Sequence, residues 1–154
     1  LLAATYLAQR AGKAELSRQL IKEFSPLVES FKNHTLDRMQ LVVDAMQANI
    51  EGDPQRAVQM LSGDLDGGEL VQAHSVLLAA YQALGQQEQA RKQAQWLKAH
   101  RGQSYVEANL NQLLQPLNVA DSRMADAWLD SNAAAQSKQP AATAAAAATI
   151  GAQH

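Results

Sequence analysis

The chain contains no cysteine and few aromatic residues, and both absences narrow its chemistry. Without cysteine there are no disulfides, thiolate metal sites or cysteine nucleophiles, although both cytoplasm and periplasm stay open as compartments. Aromatic residues make up 5% of the 154 residues, whereas apolar residues reach 47% and alanine and glutamine are abundant. That balance favours helices over sheets.

The sequence also lacks a basic excess and long apolar runs. A net charge of −2 argues against nucleic-acid binding, which requires a basic face. No apolar run reaches the roughly 18 residues that a membrane span needs. The length suits one domain with a genuine core. Because Leu1 comes first instead of Met and already lies in a helical pattern, we expect a piece of a longer protein.

A short pattern, glycine followed five positions later by alanine, occurs at Gly52 with Ala57 and at Gly85 with Ala90. The glycines are 33 positions apart, as in stacked helix-hairpin repeats. Glycine can end a helix because it tolerates the left-handed cap conformation. The alanine falls in the first turns of the next helix, where a small side chain lets two helix axes approach. We therefore predict an α-helical array in which Ala57 and Ala90 are buried.

Serine, threonine, aspartate and proline predict where helices start. Ser25-Pro26 is a cap followed by proline, which should interrupt one helix and begin another, and Asp53-Pro54 repeats that device. Thr35 should cap the helix from Leu36 to Ile50, which is apolar nearly all round and should lie between neighbours.

The acidic stretch from Asp64 to Glu69 is only superficially similar to a calcium loop. It lacks the third acidic ligand and the distant glutamate of such loops. We interpret it as a turn in which Asp66 and Glu69 have capping-box spacing and open the next helix.

The C-terminal third is predicted to begin with a helix that caps the array and to end in a segment with too few apolar residues to form a core. Ser104 and Glu107 form another capping box, Pro116 should help to end that helix, and the helix has a single apolar stripe, typical of a capping helix. The stripe consists of Val106, Leu110, Leu113, Leu114 and Leu117. The predicted domains are a repeat domain over residues 1–118, a further short helix over 119–132, and an Ala/Gln-rich tail over 133–154.

These helices resemble the tetratricopeptide repeat over roughly residues 1–102. The best copy comprises Leu77, Leu78, Tyr81, Gly85, Ala90, Ala94 and Leu97; fainter copies run through Ala45, Gly52, Ala57 and Leu61 and through Ala4, Ala8, Gly12, Ser17 and Ile21. The resemblance implies an antiparallel helix-hairpin superhelical array with a C-terminal capping helix. An irregular helical bundle of the same helices is the alternative.

In that family the first helix of each hairpin lines a concave groove where partner proteins or peptides bind. The resemblance places at the groove Tyr6, Gln9, Met39, Val42, Met46, Asn49, Gln72, Ser75, Ala79 and Gln82. Tyr6, Met46 and Ala79 stand where carboxylate-clamping relatives have asparagine, so that clamp is missing. The expected ligand is a mixed apolar and amide surface, and ordinary solvent exposure with partial packing is the alternative.

No residue pattern indicates catalysis or a cofactor. His34, His74 and His100 share no metal-ligand spacing, and no serine lies in a nucleophile elbow. The aromatic and basic residues from Trp96 to Arg101 suit a helix C-terminus through the helix dipole alone, and they form a second candidate surface.

The leading hypothesis is a non-enzymatic interaction scaffold that binds a protein or peptide, as part of a larger protein or assembly. The alternative is a sensor or regulatory domain fused to an effector such as a DNA-binding module. A third is an enzyme whose remaining catalytic parts lie outside this segment.

Overall fold

The structure, a computed structural model, describes residues 1–106 and 114–137. Regular structure within these residues is entirely helical, which confirms the predicted all-α class. The helices are α1 (Leu2–Arg10), α2 (Ala14–Phe31), α3 (His34–Ile50), α4 (Pro54–Leu61), α5 (Val71–Ala83), α6 (Gln87–Ala99), α7 (Arg101–Val106) and α8 (Gln115–Ser137).

Three helices end in the same turn, at Gly12, Gly52 and Gly85, with φ of 71°, 89° and 69°. At each turn the glycine N–H donates to the carbonyl three positions back. The following N–H donates to the carbonyl five positions before it, and these distances span 2.8–3.1 Å. This is a Schellman closure, which needs a left-handed residue and therefore favours glycine. The predicted helix ends at these glycines are confirmed.

The residue five positions after each glycine is small and completely buried. Ser17, Ala57 and Ala90 are each 0% exposed, which confirms the predicted burial of the two alanines. A larger side chain at these positions would force neighbouring helices apart. The turn and the small residue together form a unit that occurs three times within the described residues.

The three turns join the helices into the pairs α1/α2, α3/α4 and α5/α6. α3 packs on α1 and α5 packs on α3, while α2 and α4 each pack on the first helix of the next pair. We call α1, α3 and α5 the first-helix row. α3 therefore contacts α1, α2, α4 and α5, which confirms that the apolar helix from Leu36 to Ile50 lies between neighbours. α8 packs against α5, α6 and α7.

The predicted interruption at Ser25-Pro26 is wrong, because α2 continues through both residues to Phe31. Pro26 cannot donate to the carbonyl one turn back, yet the helix tolerates this loss. The Ser25 hydroxyl donates to the Ile21 carbonyl at 2.7 Å, as it can within a helix, instead of capping a new one. Val28, 7% exposed, fixes the second half of α2 to the core.

Two predicted caps are also wrong. Asn33, not Thr35, caps α3, since its side chain accepts from the Leu36 N–H at 3.1 Å. α5 begins at Val71 without a side-chain cap, because Asp66 binds Arg38 instead of opening the helix. The predicted cap at Asp53 is confirmed: its carboxylate accepts from the Arg56 N–H at 3.0 Å and Pro54 begins α4.

The C-terminal helices differ most from the sequence prediction. Pro116 lies in the first turn of α8 and does not end a helix, and Leu114, 2% exposed, joins the core just before it. The predicted stripe therefore does not form one helix across Leu114 and Leu117. Its members Leu110 and Leu113, and Glu107 of the predicted capping box, lie outside the described residues. Residues 119–132 lie within α8, and residues 133–137 of the predicted tail continue that helix.

Candidate binding cavity beside the first-helix row

A cavity of about 450 Å³ lies between the first-helix row and α8. Its lining combines apolar side chains with a few polar groups: Tyr6, Arg10, Met46, Ser75, Val76, Leu78, Ala79, Gln82, Leu97, Asp121, Met124, Ala127 and Trp128. That volume falls in the range of small-molecule sites, roughly 300–1,000 Å³. Met124 and Trp128, one turn apart on α8, contribute its C-terminal wall.

An ion pair between α1 and α8 forms the polar end of this cavity. Arg10 Nη1 lies 2.7 Å from Asp121 Oδ2, and Arg10 Nη2 lies 2.7 Å from Asp121 Oδ1. The Asp121 side chain is 7% exposed and the Arg10 side chain 24% exposed. The bond to Asp121 raises the pKa of Arg10 although burial opposes this, so the guanidinium stays charged. Bidentate geometry in a partly desolvated site makes this a strong and specific contact.

Two further contacts fix α8. The Gln72 side chain of α5 donates from Nε2 to Asn118 Oδ1 at 2.8 Å, and both residues are buried. The hydroxyls of Ser104 and Ser122 lie 3.1 Å apart and join α7 to α8. These hydrogen bonds and the ion pair require particular distances and directions, so together they specify one position for α8 against the row.

Tyr6 has a buried hydroxyl next to the Arg10 guanidinium. Its side chain is 0% exposed, and among the described residues the hydroxyl finds no acceptor of good geometry, while the neighbouring Arg10 lowers its pKa in part. Burial raises the pKa of Tyr6 to about 12, with a further contribution from the Asp121 charge. The hydroxyl is therefore a protonated donor at neutral pH with nothing to donate to.

The groove residues predicted from the sequence have different environments. Five are buried (Tyr6, Gln9, Met39, Val42 and Gln72), three are half-buried (Met46, Asn49 and Ser75), and Gln82 and Ala79 are exposed. Tyr6, Met46, Ser75, Ala79 and Gln82 come together at the cavity, and Gln72 binds α8. The buried members face the protein's own helices, so a partner would reach only the half-buried and exposed ones without rearrangement.

Gln9, one of the predicted groove residues, hydrogen-bonds within the protein. Its Nε2 donates to the Val43 carbonyl at 2.8 Å and to Gln47 Oε1 at 3.1 Å. Gln47 also accepts from the Ser17 hydroxyl and donates to Glu51 at 2.6 Å. This buried network joins α1, α2 and α3 where they meet.

Met39 lines a second cavity, of about 230 Å³, which is formed by α1, α2, α3 and Leu114. The α2 side of this cavity carries Leu27 and Phe31, which are 50% and 69% exposed. The lining is almost wholly apolar and has no buried polar group to orient a ligand.

Sequence analysis missed a stack of three rings. Trp96 lies between His74 and His100, with ring centroids 3.5 Å and 4.1 Å apart and interplanar angles of 15° and 17°. His74 also contacts Gln93 Oε1 at 2.7 Å through Nδ1 and Glu69 Oε1 at 3.1 Å through Nε2. The four-residue spacing from Trp96 to His100 could have indicated half of it. Nothing in the sequence places His74 on the other face of Trp96.

The charge states at His74 follow from burial. Burial lowers the pKa of His74, although its hydrogen bonds to Gln93 and Glu69 oppose this. Burial alone would raise the pKa of Glu69, but hydrogen bonds, including that to His74, lower it overall. Both ring nitrogens of His74 face oxygen acceptors, so a neutral ring can donate to only one of them, and the Glu69 carboxylate at Nε2 is the stronger acceptor. Within the described residues no three histidine, aspartate or glutamate side chains form a metal-binding group.

No protein-family model, curated protein or solved structure matches the chain. None of the helices in the two described ranges is long and apolar enough to cross a bilayer. Functional inference therefore depends on the geometry of the row, α8 and the cavity between them.

Proposed function

We propose that the chain is an interaction scaffold of tetratricopeptide-like helix hairpins that binds a peptide segment of a partner protein along the first-helix row. One observation supports this most directly: the row already holds a polypeptide segment. α8 is bound to it through Arg10 with Asp121 and Gln72 with Asn118, so the row's side chains are suited to recognising a polypeptide.

The chemistry of the accessible strip defines the partner. Met46, Asn49, Ser75, Ala79 and Gln82 are half-buried or exposed on α3 and α5. Methionine adapts to irregular apolar surfaces, and the amides pair with peptide N–H and C=O groups. Since none of these residues is charged, affinity depends weakly on salt.

Site-specific photo-crosslinking tests the proposal. A photoreactive phenylalanine replaces Gln82 on the row, or replaces Gln89, which is exposed on α6 and serves as the matched control. Crosslinked partners are identified by mass spectrometry. Gln82 should yield a defined partner peptide that Gln89 does not.

A binding assay with the identified peptide completes the test. The variant Met46→Ala with Gln82→Ala should bind about tenfold or more weakly, while Gln89→Ala should bind as the parent does. Equal crosslinks from both positions, or parental affinity in the double variant, would contradict the proposal. Because Met46 packs partly against the core, circular dichroism and urea unfolding of the double variant serve as the control for retained folding.

A further inference from the structure

A cleft of about 370 Å³ between α2, α3 and α4 is lined by four charged side chains, which we treat together as the α2–α4 cleft: Arg18, Asp44, Glu51 and Arg56. Arg18 donates to Glu51 Oε1 from Nε at 2.9 Å and from Nη2 at 2.7 Å, so these two charges neutralise each other. The α2–α4 cleft shares no lining residue with the cavity beside the first-helix row and is a separate site.

Asp44 supplies a carboxylate that has no cation beside it. It is half-buried on α3, and Gln40 Nε2, which donates to its Oδ1 at 2.9 Å, is its one hydrogen-bond donor within the described residues. The other oxygen, Oδ2, is accessible to solvent. Burial raises the pKa of Asp44, although Gln40 and the Arg56 charge oppose this. A cation bound in the cleft would compensate for the lost hydration of this carboxylate.

Arg56 supplies the opposite charge. It is exposed in the first turn of α4, and its backbone N–H donates to Asp53. Its guanidinium forms no hydrogen bond or ion pair with any residue of the two described ranges. Arg56 acts on Asp44 through its charge without contacting it. The cleft therefore presents an unpaired anion and an unpaired cation that do not meet.

A single ligand can satisfy both groups only if it carries both charges itself. The two arginines and two carboxylates of the cleft sum to zero, so a ligand with a net charge would leave one charge uncompensated. An α-amino acid offers an ammonium to Asp44 and a carboxylate to Arg56, whose guanidinium matches carboxylates with a fork of donors.

The rest of the cleft suits an apolar side chain. Ile21, Ala48 and Met60 line it, and methionine adapts to irregular apolar shapes. Its volume lies within the range of small-molecule sites, roughly 300–1,000 Å³.

We propose that the α2–α4 cleft binds a free α-amino acid with an apolar side chain, whose ammonium pairs with Asp44 and whose carboxylate pairs with Arg56. The site does not depend on the partner proposal, because amino-acid binding can be measured on the chain alone.

An NMR titration of the isotope-labelled chain with L-leucine tests the site. We expect saturable shifts of the backbone amides around the cleft at up to about 10 mM ligand. Two analogues each lack one charge, since isoamylamine has no carboxylate and isocaproate has no ammonium. Each should bind the parent about tenfold or more weakly than L-leucine, because one charged hydrogen-bonding group is lost.

Two variants test the location and the role of each charge. Asp44→Asn should weaken the binding of L-leucine and isoamylamine and leave that of isocaproate unchanged. Arg56→Gln should weaken the binding of L-leucine and isocaproate and leave that of isoamylamine unchanged. The control variants Asp37→Asn, exposed on α3, and Arg123→Gln, exposed on α8, lie outside the cleft lining and should bind L-leucine as the parent does.

Circular dichroism checks that each variant is folded, and the analogue comparison needs only the parent. No saturable L-leucine binding to the parent, equal affinity for L-leucine and both analogues, or parental L-leucine affinity in Asp44→Asn or Arg56→Gln would overturn the proposal.

Discussion

Replacing Gly85 by alanine tests whether the shared turn depends on its left-handed backbone. A Cβ built on Gly85 meets no atom within 4 Å, so no steric clash contributes. The remaining cost comes from φ of +69°, which is unfavourable by about 1–2 kcal/mol for an L-residue. Alanine also lowers the conformational entropy of the unfolded chain, which stabilises the folded protein by about 0.4–1 kcal/mol. We expect a net loss of about 1 kcal/mol.

Gly102 provides a matched control for the same chemical change. It lies in helix α7, its Cβ would also meet nothing within 4 Å, and its φ is not positive. Alanine within a helix is favoured over glycine by about 0.5–1 kcal/mol, so Gly102→Ala should stabilise. The two variants therefore shift stability in opposite directions although neither adds a contact.

Urea unfolding followed by circular dichroism measures both shifts at unchanged m-value. Gly85→Asn extends the test, because asparagine enters the left-handed region more easily than alanine and should lose less. A Gly85→Ala variant as stable as the parent, or shifts of equal sign at Gly85 and Gly102, would refute the assignment of this turn.

The other predictions concern packing, the α1–α8 ion pair and the buried histidine. Ala90 is 0% exposed, so Ala90→Leu should lower the free energy of unfolding by about 1–3 kcal/mol. Ala83 is exposed on α5, so Ala83→Leu should change it by under about 0.5 kcal/mol. Equal unfolding midpoints in the two variants would contradict this. Asp121→Asn should lower the free energy of unfolding by about 1.5–3 kcal/mol. The double variant Asp121→Asn with Arg10→Met should lose less than the sum of the two single variants, and strict additivity in this double-mutant cycle would argue against the ion pair. Because burial keeps His74 neutral below the ordinary pKa of about 6.5, the unfolded chain binds more protons there, and the unfolding free energy should fall as pH decreases from about 7 to 5. His74→Gln should flatten this decline and exposed His34→Gln should retain it; equal slopes in both variants would show that His74 does not cause it.

The repeating unit could be predicted from the sequence because its causes are local. Glycine at a Schellman turn and a small residue five positions later each follow from backbone geometry within a few residues. The glycine and the small residue therefore recur at a fixed spacing in the sequence, as Gly52 with Ala57 and Gly85 with Ala90 show. The capping at Asp53 belongs to the same class, since the carboxylate acts on an N–H three positions away.

Where several local signals compete, the sequence alone did not decide between them. Asn33 and Thr35 are both acceptable caps, and the chain uses the first. Pro116 is equally compatible with the end of one helix and the first turn of the next, and here it begins α8. At Pro26 the tertiary contact of Val28 outweighs the proline's lost hydrogen bond.

The predicted groove residues lie on α1, α3 and α5, but the sequence did not predict how exposed each of them is. Tyr6, Met46 and Gln82 do come together, but beside a helix that returns from far along the chain. Arg10 and Asp121 are separated by 111 positions, and no pattern in the sequence links them. Residue spacing could therefore not predict that Asp121 lies near Tyr6.

The position of α8 depends on two polar residues that a sequence pattern assigns to the surface. Asn118 and Asp121 lie three positions apart, on one helix face, and are 2% and 6% exposed. Polar pairs at this spacing usually face water. The burial of Asn118 and Asp121 therefore follows only from the structure, which brings them to Gln72 and Arg10. Because both contacts are directional, they specify the position of α8 against the row. The cavity lies between the row and the helix that these contacts hold.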